Sequence, residues 1–156
     1  EPTVRQALAA LRSAGLHPPA IRTHGDFHLG RTARTDHGWV LADCMPGGAD
    51  PATGAPLLRS PLADVADMCW SIHHAAVVAA IERGQITGRS RAGELADAWQ
   101  ARNRQAFLAA YLATPGIGAL VPADRRVVRR MLAVFEAART THGVSATVGG
   151  AADGTP

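Results

Sequence analysis

THGDFHLGR, residues 23–31, sets two histidines around a glycine and an aspartate and closes on an arginine. Upstream, AIRTHGD (20–26), preceded by Pro18 and Pro19, reads as a short strand entering a turn. Downstream, RTARTDHGWVLADC (31–44) reads as a β-hairpin, with TDHG (35–38) as its turn and WVLADC as an apolar second strand. A hairpin at this point puts two chemically loaded turns, 24–31 and 43–48, side by side. Both are then expected to face one cleft.

The rest of the chain is helical in pattern. Val4, Leu8 and Leu11 repeat at helical spacing over 3–14, with Gly15 near the end. MPGGADPATGAPLLR (45–59) is a loop, and a loop of that length inside a domain is usually functional or mobile. Ser60-Pro61 is a helix start, a serine cap followed by proline at the first helical position. Leu62, Val65, Cys69, Ile72 and Ala76 then mark an apolar face to about residue 82. A second helix is expected over 91–113, with Leu95, Trp99, Leu108 and Tyr111 as core candidates, and a third over 123–140 on Val128, Met131, Leu132 and Phe135. Trp39 and Trp70 are also assigned to the core, Trp99 being a possible sugar-stacking ring as well. The fold class is therefore α+β, mainly helical, in one domain over 1–141 with a disordered tail at 142–156.

Composition excludes more than it selects. At 156 residues and 47% hydrophobic content the chain can bury a core, and charges interrupt every candidate membrane span. All sixteen basic residues are arginine, so no lysine ammonium is available to grip a phosphate. Net charge is +3, yet basic and aromatic residues do not interleave as a nucleic-acid stripe, and Arg125, Arg126, Arg129 and Arg130 read as a solvated helix face. Cys44 and Cys69 form no CxxC pair and read as reduced packing residues in a cytoplasmic protein. His73 and His74 lack metal spacing and are assigned as solvated or packing residues.

Phosphoryl transfer to a sugar hydroxyl needs one carboxylate to orient the hydroxyl and a second to hold the magnesium that bridges the nucleotide phosphates. Asp26, in a loop after a strand, and Asp43, ending the hairpin, supply two acids from adjacent turns. THGDFHLGRTARTDHGWVLADC resembles the catalytic and metal loops of the aminoglycoside-phosphotransferase-like kinases, and most of all the bacterial maltokinases (HGDxHLGQ, then xTxDGWVL, then IDFEG). RSPLADVADMCWSIHHAA (59–76) is similar to their RSPLxDVAGMxRSxxYAA, and WQARNRQAFLAAYL (99–112) continues the likeness, which covers about residues 4–140.

The resemblance implies the C-terminal lobe of a protein-kinase-like fold, whose short hairpin carries the catalytic and metal loops. It implies ATP and Mg2+ as cofactors, a sugar and a nucleotide as ligands, and an N-terminal lobe as the missing partner. It matches Asp26 to the catalytic aspartate, with His24 beside it in the catalytic loop, and Gly25 to a residue shaping that loop. His28 corresponds to a histidine that contacts substrate or packs the loop, Asp43 to the metal-binding aspartate, and Asp64 to a helix aspartate that braces the catalytic loop. A carboxylate in the first turn of a helix is also favoured by the helix dipole.

Two departures bear on the metal. The amide five positions after the catalytic aspartate is Arg31 here, and a guanidinium cannot coordinate magnesium. IDFEG appears as LADCMPG, which puts Met45 where an acid is expected. Two enzyme readings stay open: a maltokinase-like enzyme that phosphorylates maltose at its anomeric hydroxyl, and an aminosugar or aminoglycoside kinase that would call on acids such as Asp50, Asp67 and Glu94. A third is a non-catalytic relative in which Arg31 pairs with Asp26 or Asp43. On each of them the 156-residue chain alone is expected to be inactive.

Overall fold

The computed structural model describes residues 19–42, 58–83 and 90–149 together with Ala9 and Ser13, and side chains as far as Arg139. In chain order it has a 3-10 turn at Leu29–Arg31, strands β1 (Thr32–Thr35) and β2 (Gly38–Leu41), helices α1 (Pro61–Glu82) and α2 (Arg91–Ala113), a 3-10 turn at Ile117–Ala119, and helix α3 (Arg125–Gly149). Ala9 and Ser13 are helical, and the remainder of the helix expected over 3–14 lies outside the described residues, as do the 45–57 part of the long loop, Asp43, Cys44 and Met45.

Each helix starts where the sequence offers a side-chain acceptor for its orphan N–H groups. Ser60 Oγ accepts the Leu62 N–H at 3.3 Å, and Pro61 follows with a φ already suited to the helix. Ser90 Oγ accepts the Gly93 N–H at 3.2 Å, and Asp124 Oδ1 accepts that of Arg126 at 2.7 Å. Pro115 prevents α2 from continuing, and Gly116, at φ 83°, turns the chain into the second 3-10 turn.

α1 is the central element and packs on both α2 and α3. Leu62, Val65, Ala66 and Cys69 of α1 meet Val128, Met131 and Leu132 of α3, with Val121 closing one end. Phe107, Leu108, Tyr111 and Leu112 of α2 pack on this cluster from the side and stay partly exposed. Arg104 and Glu136, 2.7 Å apart, tie α2 to α3. Cys69 is a free thiol 2% exposed, and burial pushes its pKa up to about 11.

Several expectations are corrected. Residues 20–26 form no strand: Ile21 alone makes a bridge, to Arg59, because no neighbouring strand extends the pairing. The hairpin is present in the expected register, Thr35 opposite Gly38, but both faces are solvated and Trp39 is 70% exposed rather than core. Leu95 and Trp99 are likewise exposed, since only the C-terminal half of α2 lies on the core cluster. Trp70 is half-buried. Arg125, Arg126, Arg129 and Arg130 of α3 and the pair His73 and His74 are exposed. α3 runs on to Gly149, so the start of the tail expected to be disordered is helical. Gly143 costs only about 1 kcal/mol against alanine, and no proline interrupts before Pro156.

Among the described residues no helix is long and apolar enough to cross a membrane. Met131, fully buried, and Trp39, largely exposed, make opposite predictions. Met131→Ala should lower unfolding stability in urea by about 2–5 kcal/mol, through lost burial and the cavity left behind. Trp39→Ala should change it by no more than about 0.5 kcal/mol.

Candidate active site

The loop 23–31 crosses the N-terminal end of α1, and one carboxylate fixes it there. Asp64 Oδ2 accepts the His24 backbone N–H at 2.6 Å, and Oδ1 accepts that of Gly25 at 3.1 Å. Gly25 has a φ of 86°, a left-handed conformation that a side chain disfavours, and it turns the chain from this carboxylate toward Asp26. Asp64 sits in the first turn of α1, where the dipole also favours its charge.

His24 is buried at 8% exposure. Its Nδ1 lies 3.4 Å from the Asp26 backbone N–H and its Nε2 3.2 Å from the Ala42 carbonyl oxygen. Through these two contacts the ring joins the loop to the base of the hairpin. Both nitrogens are thus engaged with backbone. His28 caps the 3-10 turn: its Nδ1 accepts the Gly30 N–H at 3.1 Å, leaving Nε2 as the N–H nitrogen, 3.4 Å from Asp26 Oδ2. Leu29 N–H donates to Ser71 Oγ at 3.0 Å, a second tie between loop and α1.

Asp26, about one-third exposed, is ringed by cations. Arg31 donates to its Oδ2 from Nε at 3.3 Å and from Nη2 at 3.1 Å. From α3, Arg139 Nη2 stands 3.8 Å from Oδ1, while Arg139 Nε lies 3.5 Å from Asp67 Oδ1. Burial works to raise the Asp26 pKa, but the Arg31 hydrogen bond and the charges of His28, Arg31 and Arg139 outweigh it and hold the carboxyl below 3.8. Asp67 behaves oppositely. Its burial pushes the pKa up despite Arg139 and Arg59, with Asp64 and Asp26 adding to the rise.

The structure therefore gathers Asp26, His24, Gly25, His28, Arg31 and Asp64 in one place, and Asp43 lies outside the described residues. Sequence reasoning missed Arg139. It lies in the plain helical stretch FEAART, and only its helical phase relative to Phe135, which packs on the core, could have turned it toward the loop. A pocket of about 250 Å3 lies beside Arg139, lined also by Gly25, Arg59, Asp67 and Phe135. Among the described residues no group of three or more His, Cys, Asp or Glu side chains is placed to hold a metal. Arg31 does not fit a magnesium site, because a guanidinium carries no lone pair to coordinate the ion and here it pairs with Asp26.

No family model matches the chain. Among solved structures it is similar to glucosamine kinase. Against the complex with glucosamine, ADP and inorganic phosphate, identity is 26% and the TM-score 0.63, over 87% of this chain and 32% of that one. Crystal form A gives 26% and 0.60 over 85% and 31%, and crystal form B gives 25% and 0.59 over 87% and 31%. The chain thus spans about a third of the length of those kinases. The fold is that of a helical lobe in kinase-like sugar kinases, with a two-stranded antiparallel hairpin beside the loop that holds Asp26.

Two predictions follow from the electrostatics and the bracing. A depressed carboxyl stabilises the fold above pH 3.8 and loses that contribution as pH falls through its lowered folded value. Arg31→Gln should therefore move the Asp26 titration upward, read by carbon NMR of the side-chain carboxyl. Asp64→Ala strips the His24 and Gly25 N–H groups of their acceptor and should cost about 1–3 kcal/mol in urea unfolding.

Proposed function

We propose that the chain is the C-terminal lobe of an ATP-dependent sugar kinase, with Asp26 as the carboxylate that receives the acceptor hydroxyl. One observation supports this above the others: Asp26 is presented by a loop whose backbone is held by Asp64, in a chain similar to kinases of an amino sugar. A carboxyl held below its usual pKa is a weak base. It suits phosphoryl transfer, in which the base chiefly orients the hydroxyl and takes its proton late. His28 Nε2 and Arg31 steady Oδ2 for that task, and His24 keeps the loop on the hairpin. Magnesium, held by Asp43 on this reading, would neutralise charge on the nucleotide phosphates.

The sequence resemblance favours maltose as acceptor, and the solved neighbours favour glucosamine. Of the acids that an amino sugar would call on, Asp67 lies within reach of the Asp26 cluster through Arg139, whereas Glu94 is exposed at the start of α2. A second reading, a non-catalytic relative, is favoured by the Arg31–Asp26 pair, which spends the carboxylate on an internal cation.

The test is ADP release by the full-length gene product with ATP, magnesium and either maltose or glucosamine. Turnover with one of the two sugars is expected, and Asp26→Asn should lower kcat by roughly 10²–10⁴-fold. Absence of turnover from the native protein, together with its gain in Arg31→Gln, would replace this reading with the non-catalytic one. The 156-residue chain alone should release no ADP above the no-sugar control.

A further inference from the structure

The two oxygens of Asp26 are engaged unequally. Oδ2 takes both Arg31 nitrogens and faces His28 Nε2, all at 3.1–3.4 Å. Oδ1 faces Arg139 Nη2 at 3.8 Å, which is beyond hydrogen-bonding distance but close enough for charge attraction. An acceptor hydroxyl approaching Asp26 thus finds Oδ2 saturated, and its place is at Oδ1.

Arg139 is itself held from several directions. Its Nε is 3.5 Å from Asp67 Oδ1, and the Asp67 side chain is only 11% exposed. A carboxylate so enclosed needs a cation, and losing that partner is costly. The guanidinium carbon also lies 5.4 Å from the centre of the Trp70 ring, and Trp70 stacks on His74 at 4.9 Å. A planar guanidinium suits a ring face in a way that an ammonium does not. Asp67 and Trp70 are both on α1, as is Asp64, so the helix that braces the loop backbone also fixes the arginine facing the loop's carboxylate.

We propose that Arg139 is a positioning residue: anchored by Asp67 and Trp70, it sets the orientation of the Asp26 carboxylate and keeps Oδ1 turned to the acceptor without occupying it. The assignment of Oδ1 to an acceptor rests on the kinase reading; the control of Asp26 orientation by Arg139 does not. Arg139 reaches the site from α3, so the packing of the last helix governs the geometry of a loop near the start of the chain.

The test uses Arg139→Met, which keeps length and loses charge, Arg139→Lys, and Asp67→Asn, which loosens the anchor. In the full-length protein, Arg139→Met should lower kcat by roughly 10–100-fold with the nucleotide KM little changed. Arg139→Lys should recover part of that loss. The side-chain carboxyl resonance of Asp26, assigned with Asp26→Asn and read at one pH, should move in Arg139→Met, move the same way in Asp67→Asn, and return toward its native position in Arg139→Lys. Native-like spectra elsewhere with an unmoved Asp26 resonance in both Arg139→Met and Asp67→Asn would overturn the proposal. If the native protein shows no turnover, the kinase reading fails by itself and the resonance still decides the role of Arg139.

Discussion

The loop that carries Asp26 depends on one carboxylate of α1. Asp64 accepts two consecutive backbone N–H groups, and those hydrogen bonds convert a glycine-containing turn into a fixed platform. The left-handed Gly25 then redirects the chain, so that Asp26 follows directly on the anchored residues. The platform belongs to α1, which carries most of the buried residues among those described, so the loop inherits the rigidity of the core.

On that platform the balance of charge around Asp26 is unusual for a metal-dependent site. A carboxylate meant to work beside magnesium would gain from neutral or acidic neighbours, and here two guanidiniums and an imidazole surround it. The same groups keep the Asp26 pKa below its ordinary value and hold the carboxylate in place. Orientation and charge pairing therefore come from one set of contacts, and the position of Arg31 decides whether the pairing prepares the carboxylate or retires it.

Much of the architecture was legible from local chemistry. Ser60-Pro61 and the three-and-four spacing of Leu62, Val65, Cys69 and Ile72 located α1, because caps and buried stripes are written in neighbouring residues. The TDHG turn gave the hairpin register for the same reason. The errors concern what a segment packs against. Trp39 and Trp99 look like core residues by type, but burial depends on which surfaces the other elements supply. Within the site, the residues of 24–31 and Asp64 were readable as motif, while Arg139 was not, since its partnership with Asp26 exists only once α3 lies across α1.

Cys69 gives this helix packing an internal reporter. Its thiol is enclosed between α1 and α3, and with a pKa of about 11 almost none of it is thiolate at neutral pH, so alkylating reagents meet neither an accessible nor a nucleophilic sulfur in the closed form. Once Cys44 is replaced, the rate at which such a reagent labels the protein measures how often the two helices part. Since Arg139 rides on one of them and the loop is tied to the other, that opening frequency is also the frequency with which Asp26 loses Arg139.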